Sequence, residues 1–410
     1  MSATRGAAYI VGTFDTKGEE LRYVARLVRE AGVPVVMVDV GTRSQARDVD
    51  LAAETVAMHH PSGADAVFAT SDRGVAVTAM SEALRRCIAA RSDVGGMLGL
   101  GGSGGTAIIT PAMRALPIGV PKVMVSTLAS GNVGPYVDVY DITMVYPVTD
   151  IAGLNRVSRV VLGNAAHALA GMMLRPILDS GDEKPSLGIT MFGVTTPCVQ
   201  QITAALGDGF DCQVFAAHGT GGRAMEALVA AGMLRGVIDV TTTEVADLLV
   251  GGVCSAGPGR FDAIVRTGVP WVGSLGALDM VNFWAPETIP ERYRGRHFHV
   301  HNANVTLMRT TAEELRQIGA WIAEKLNRSP GPVRLLIPEG GVSMLDAPGQ
   351  PFHDPVADRA LFDALERAFA TSQSHRIVRL PHHINDAAFA EAVVVHVREV
   401  MDQKNGVAQR

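Results

Sequence analysis

The sequence predicts an α/β protein of two Rossmann-like domains, each a mostly parallel sheet with helices on both faces. Three observations predict it. Short apolar runs alternate with amphipathic stretches from end to end, the rhythm of βαβ units. Of the 410 residues, 47% are apolar and 19% charged, which fills two packed cores and does not suit a disordered chain. Each half holds one glycine-rich strand-to-helix turn, "GLGGSGGT" (99–106) and "HGTGGRA" (218–224).

"AAYIVGTF" reads as the first strand from its β-branched and aromatic content. "EELRYVARLVREAG" follows with Leu21, Val24, Ala25 and Val28 at helical spacing, and Gly32 ends it. "VPVVMVDVG", "GGMLGLGG", "PKVMVST" and "YDITMVYPV" are the next strands, and a long helix from about Gly153 to Leu174 closes the set. "DSGDEKPS" (179–186) reads as a linker between domains 1–183 and 184–410. The rhythm restarts with "SLGITMFG", "DCQVFAAHG", "GVIDVTT", "PWVGSL", "VRLLIPEG" and "RIVRLPHH". In "TTAEELRQIGAWIAEKLN", Thr311 and Glu314 have the spacing of a capping box. Identity between the halves is too thin to establish a duplication.

Composition narrows the partners. A net charge of -5, with no basic stripe, leaves no polyanion footprint and argues against nucleic acid. No apolar run approaches the roughly 20 residues of a membrane span. The first residues, "MSATRGAAYIVGTF", lack the apolar core of a secretory signal. Cys87, Cys198, Cys212 and Cys254 form no CxxC pair and read as reduced thiols. A cytoplasmic protein is expected.

A strand that ends in glycines and feeds a helix aims free N–H groups and the positive end of a dipole at one spot. Such turns bind phosphate. Gly101, Gly102, Ser103, Gly104, Gly105 and Thr106 fit this use. Thr106 stands where a Walker loop needs lysine, so the loop is not of that type. A dinucleotide pattern runs through Gly99, Gly101 and Gly104, but the next strand ends in Ser126 and Thr127, without the expected acid. Gly219, Gly221 and Ala224 give a second match, with Asp239 at a tolerable distance. The candidate second anion loop is Gly219, Thr220, Gly221 and Gly222. Ligands sit outside the carboxyl ends of parallel strands, which adds Thr13, Asp15, Thr16, Lys17 and Ser126, with Ser71, Asp72 and Arg73 nearby in "TSDRG". Lys17 suits phosphate, and Asp15 suits Mg²⁺ or a hydroxyl. The bland alternative makes Asp15 or Thr16 a helix cap and Lys17 a solvated charge.

"GTFDTKGEE", "GLGGSGGT", "LPIGVPKVMVST" and "DIAGLNRV" together resemble the family of the tomato mosaic virus resistance protein, which has bacterial and plant members. "PEGGVSMLD" and "GQPFHDP" extend the resemblance over nearly the whole chain. It implies two Rossmann-like domains, binding of ATP with Mg²⁺, and homodimers. In the plant member this region binds a viral replication protein. Nucleotide contacts carry over to Thr13, Asp15, Thr16, Lys17, Gly101 to Thr106, and Ser126.

The second half offers polar clusters. His297, His299 and His301 alternate in "HFHVHNAN", so a strand would place them on one face; an exposed sheet is favoured there over a metal site. His218, Glu339, His382 and Asp386 are candidate catalytic residues if they share a cleft, with Glu339 a candidate base. Asn385 or Asp386 alternatively caps the last helix. No GxSxG elbow is present. Three functions follow as expectations. The first is an ATP-dependent enzyme acting on a small anionic metabolite at an interdomain cleft. The second is a non-catalytic nucleotide-binding module that regulates or inhibits a protein partner. The third is a nicotinamide-dependent oxidoreductase using "HGTGGRA" with Asp239.

Overall fold

The computed structural model describes residues 6–44, 46–177 and 184–407, with side chains described as far as residue 402. The chain divides into two compact units, Met1–Asp179 and Ser180–Arg410. Most of the expected linker, residues 179–183, lies outside the described residues.

Unit 1 runs β1 (Ala7–Gly12), α1 (Phe14–Glu30), β2 (Val35–Asp39), α2 (Ala53–Ala57), α3 (Asp65–Phe68), α4 (Arg73–Ala89), β3 (Val94–Gly101), α5 (Ser103–Ala115), β4 (Lys122–Ser126), α6 (Gly134–Val137), β5 (Thr143–Val145) and α7 (Arg156–Leu174). The five strands are all parallel, in the order β2-β1-β3-β4-β5. Successive side chains of a strand point to opposite faces. Tyr9 and Val11 therefore enter the layer under α2, α4 and α5, and Ala8 and Ile10 enter the layer under α1 and α7. Both faces are covered, so the strands read as continuous apolar runs. Gly32 leaves α1 at φ +88°. Gly101 is required for another reason. A Cβ there would lie 2.8 Å from the Gly105 Cα, so only glycine lets α5 start directly on the end of β3. The helix α7 has the length and mean hydropathy, 1.2, of a membrane span, which the sequence reading did not anticipate; 44% of it is buried, and its Leu162, Ala165, Ala166 and Leu169 pack into the core.

Unit 2 runs β6 (Ser186–Met191), α8 (Thr196–Leu206), β7 (Asp211–Ala216), α9 (Thr220–Ala230), β8 (Gly236–Thr241), α10 (Thr243–Ala246), α11 (Asp262–Thr267), β9 (Trp271–Gly276), β10 (Met280–Phe283), β11 (Phe298–Asn302), β12 (Val305–Arg309), α12 (Ala312–Leu326), β13 (Val333–Pro338), α13 (Pro355–Ala368), β14 (His375–Leu380) and α14 (Ala387–Val407). Its main sheet is parallel, in the order β14-β13-β9-β8-β6-β7. Counted within the unit and leaving out β10–β12, the strands lie 2-1-3-4-5-6, and unit 1 has the same order without the sixth. A small antiparallel sheet, β10-β12-β11, is inserted after β9. Of its strands the sequence pattern shows only β11. Met280 and Leu307 of this insert pack with Val194, Ala277 and Phe352, which lie in loops at the carboxyl ends of β6, β9 and β13.

Candidate functional site

In a sheet ordered 2-1-3-4-5 the chain leaves β1 in opposite directions, and a crevice opens between the carboxyl ends of β1 and β3. Unit 1 has a cleft of about 470 Å³ at that point. From the end of β1 it is lined by Thr13, Asp15, Thr16 and Lys17, and from β3–α5 by Gly101 to Gly105. The Thr13 and Thr16 hydroxyls bond each other at 2.7 Å. The start of α1 is already supplied with an anion. The Phe14 N–H donates to Asp39 Oδ1 at 3.2 Å, and the Gly41 N–H donates to the same oxygen at 2.8 Å. Burial pushes the Asp39 carboxyl up, and its hydrogen bonds pull against that. Lys17 breaks the first turn of α1 with φ -135° and ψ 23°. Its Nζ donates to the Ile151 carbonyl at 2.6 Å, tying the "DIAG" loop to the cleft, where Asp150 joins the lining.

The start of α5 is different. Gly102 has no side chain to offer as a cap. The N–H groups of Ser103, Gly104 and Gly105 find no acceptor among the described residues. Other long helices here are supplied. Asp72, Asn155, Thr311 and Asp354 cap α4, α7, α12 and α13 with their own side chains. Asn385 accepts from Cys198 N–H at the start of α8.

Two predicted contacts do not face the cleft. Thr106 and Ser126 are fully buried and bond each other at 2.7 Å, with the Leu128 N–H on Ser126 Oγ. A hydroxyl at a strand end is free in the sequence, but here the close approach of β4 to α5 consumes both. The sequence reading missed Thr42, Arg43, Val77, Ile108 and Asp150, which line the cleft. The turn "VGTR" after β2 was the available signal for Arg43, once β2 is placed beside β1.

The second glycine loop is occupied by the chain itself. Glu244 Oε1 accepts from Gly219 N–H at 2.7 Å and from Gly222 N–H at 3.1 Å. A Cβ on Gly222 would lie 2.0 Å from Glu244 Oε2, so this glycine makes room for the carboxylate. Arg260 binds Glu244 at 2.9 Å, Glu226 at 3.1 Å and Asp239 at 2.7 Å. Burial pushes the Glu226 and Glu244 carboxyls up, and the Arg260 charge opposes it. Asp239 is fully buried, and also accepts from Thr190 Oγ1 and Trp271 Nε1. It is therefore not placed to receive a ribose hydroxyl, as the nicotinamide reading needs.

Of the four candidate catalytic residues of unit 2, His218 stands apart, while Glu339, His382 and Asp386 follow the adjacent strands β13 and β14. His218 follows β7 and Glu339 follows β13, four strand steps or about 19 Å away across the sheet. Glu339 pairs with Arg379 at 2.9 Å. Asp386 accepts from the His383 N–H, and the His382 carbonyl accepts from the Gly340 N–H. His297 and His299 set their rings edge-on to Phe352, at 5.4 and 6.2 Å. Among the described residues no three His, Cys, Asp or Glu side chains are grouped to hold a metal ion.

Comparison with known proteins gives the same relatives along both units. Residues 6–176 match the N-terminal domain, and residues 184–401 the C-terminal domain, of the uncharacterised protein family UPF0261. A UPF0261 protein of Rhizobium meliloti (strain 1021) is 61% identical over 392 residues, covering 96% of this chain and 98% of the relative. One from Clostridium tetani is 44% identical over 399 residues, with 96% and 98% covered. The ToMV resistance protein Tm-1(GCR237) of Solanum lycopersicum is 42% identical over 424 residues; the match covers 97% of this chain and 56% of the plant protein.

Proposed function

The chain belongs to the UPF0261 family, and from that premise we propose that its unit 1 binds a nucleotide, ATP with Mg²⁺, in the cleft between β1 and β3. The observation that carries this reading is the start of α5. Three N–H groups without acceptors and the positive end of a helix open on a cleft that also holds Lys17, Arg43 and Arg73. The cleft's size is within the common range for small-molecule sites, about 300–1,000 Å³. Asp15 is the carboxylate best placed to hold Mg²⁺, which takes one or two carboxylates and otherwise binds through the phosphates. The ion would neutralise phosphate charge there.

Binding without turnover is the reading we favour. His218 lies four strand steps from Glu339, and the glycine loop of unit 2 is filled by Glu244. The tomato relative is named for resistance to a virus, which accords with a regulatory or inhibitory module acting on a protein partner. The test is isothermal titration with ATP and Mg²⁺, with phosphate release followed in parallel. Saturable binding without release is expected, and binding is lost in Gly104→Val. A Cβ at Gly104 makes only an ordinary contact, with Arg73 Nη2 at 3.8 Å, and circular dichroism checks that the valine variant folds. Unchanged affinity in Gly104→Val would remove the loop from the site, and steady phosphate release would favour an ATP-dependent enzyme.

A further inference from the structure

Three cations reach the unit 1 cleft from three elements: Lys17 from α1, Arg43 from the turn after β2, and Arg73 from the first residue of α4. Lys17 already donates to the Ile151 carbonyl. Arg43 and Arg73 are exposed, and among the described residues neither has a hydrogen-bond or ion-pair partner. Many arginines here are paired: Arg22 with Asp48, Arg85 and Arg86 with Glu82, Arg379 with Glu339, Asp363 and Glu366. The carboxylate next to Arg73 in sequence is turned to its own helix, where Asp72 Oδ1 accepts from Gly74 and Val75 N–H to cap α4. Asp150 Oδ1 accepts from the Ile151 N–H.

Arg73 Nη2 stands 3.8 Å from the place of a Cβ on Gly104, over the uncapped start of α5. A guanidinium beside the positive end of a helix is repelled unless an anion lies between them. Arg43 is anchored at the end of β2, two strand spacings, or about 10 Å, from the β3 end that launches α5. A phosphate seated on α5 is held from the β3 side, and a chain of phosphates would carry the anion across toward Arg43. The guanidinium fork suits phosphate oxygens held in pairs.

We propose that Arg73 and Arg43 are the specificity residues of this cleft, Arg73 gripping the phosphate seated on α5 and Arg43 the far end of the same phosphate chain. The site then selects a nucleoside di- or triphosphate over a monophosphate. This inference rests on the nucleotide reading of the cleft, and its test separates the two. ATP, ADP, AMP and inorganic tripolyphosphate, each with Mg²⁺, are titrated into the full chain and into Arg73→Gln, Arg43→Gln and Arg73→Lys, with circular dichroism as the check on folding. The unmodified chain binds ATP at least tenfold more tightly than AMP. Each glutamine variant loses about 10- to 100-fold in ATP affinity, the worth of a hydrogen bond to a charged group; Arg43→Gln leaves AMP affinity unchanged, whereas Arg73→Gln weakens AMP as well. Arg73→Lys recovers part of the loss. Equal binding of ATP and AMP overturns the inference while leaving the nucleotide reading intact, as does unchanged ATP affinity in both glutamine variants. Arginine-dependent binding of tripolyphosphate as tight as that of ATP keeps the phosphate-chain clamp and overturns the nucleotide reading. No binding of any of the four overturns both.

Discussion

The two units share one strand order and treat their glycine turns in opposite ways. In unit 1 the carboxyl ends of β1 and β3 stay open, and α5 begins there with no cap. In unit 2 the glycine loop at the start of α9 holds the chain's own Glu244, and the antiparallel insert packs with loops at the carboxyl ends of β6, β9 and β13. The same glycine chemistry thus serves two ends. The turn with no internal anion is the one proposed to bind a ligand, and the one with a buried carboxylate in place is part of the core.

The sharpest way to break the comparison is to empty the filled loop. Glu244→Ala leaves Arg260 buried with fewer partners and the Gly219 and Gly222 N–H groups without an acceptor. Loss of one partner from a buried ion pair costs about 3–5 kcal/mol, so urea unfolding should show unit 2 destabilised by that order while unit 1 keeps its nucleotide affinity. All three tryptophans, Trp271, Trp284 and Trp321, lie in unit 2, and their fluorescence follows it alone.

Next in size is a pair of glycine substitutions within unit 1. Gly101→Ala forces a Cβ against the backbone of α5 and should cost about 1–3 kcal/mol, as overpacking does. Gly104→Ala makes only an ordinary contact with Arg73, gains up to about 1 kcal/mol from helix propensity, and weakens binding. Thermal melts beside titrations separate the two effects. Equal destabilisation by both would mean that the loop is packing and nothing more.

The third test uses pH. Asp279 is buried beside Asp346 and is pushed up to about 7; Asp358, buried and near Asp346, is pushed up to about 8. Arg309 reaches Asp358 at 2.7 Å and Asp346 at 4.0 Å, His353 lies 3.8 Å from Asp346, and among the described residues Asp279 Oδ1 and Asp346 Oδ1 find no hydrogen-bond partner. The folded cluster therefore holds protons that the unfolded chain releases near pH 4. Its stability is fully present below that pH and is lost as pH rises through about 7 to 8. Tryptophan-detected stability should fall between pH 6 and 8 by about 1.4 kcal/mol per pH unit for each proton retained, and Asp358→Asn should flatten the slope. The smallest effect is expected at Glu339→Gln. Its partner Arg379 keeps Asp363 and Glu366, so the change is below about 1 kcal/mol.

Much of this fold is legible in the sequence because most strands of the two parallel sheets are apolar runs bounded by turns, with the edge strands β7 and β14 the more polar ones. The helix face of Leu21, Val24, Ala25 and Val28 and the Thr311–Glu314 capping box stand where spacing places them. What spacing does not carry is partnership at long range. Glu244 lies 25 residues from Gly219, and nothing local marks it as the anion of that loop. Ser126 lies 20 residues from the Thr106 hydroxyl it consumes. The strands β10 and β12 are short, fully or nearly fully buried, and lie in an antiparallel insert that interrupts the strand–helix alternation marking the others. Arg43 entered the cleft only once strand order set β2 beside β1.

The most direct test of the central claim is a crystal structure grown with a non-hydrolysable ATP analogue and Mg²⁺. The account predicts phosphates on the N–H groups of Ser103, Gly104 and Gly105 in unit 1, with Glu244 still seated in the loop of unit 2. Phosphates on Gly219 to Gly222 with Glu244 displaced, and the start of α5 empty, would contradict it.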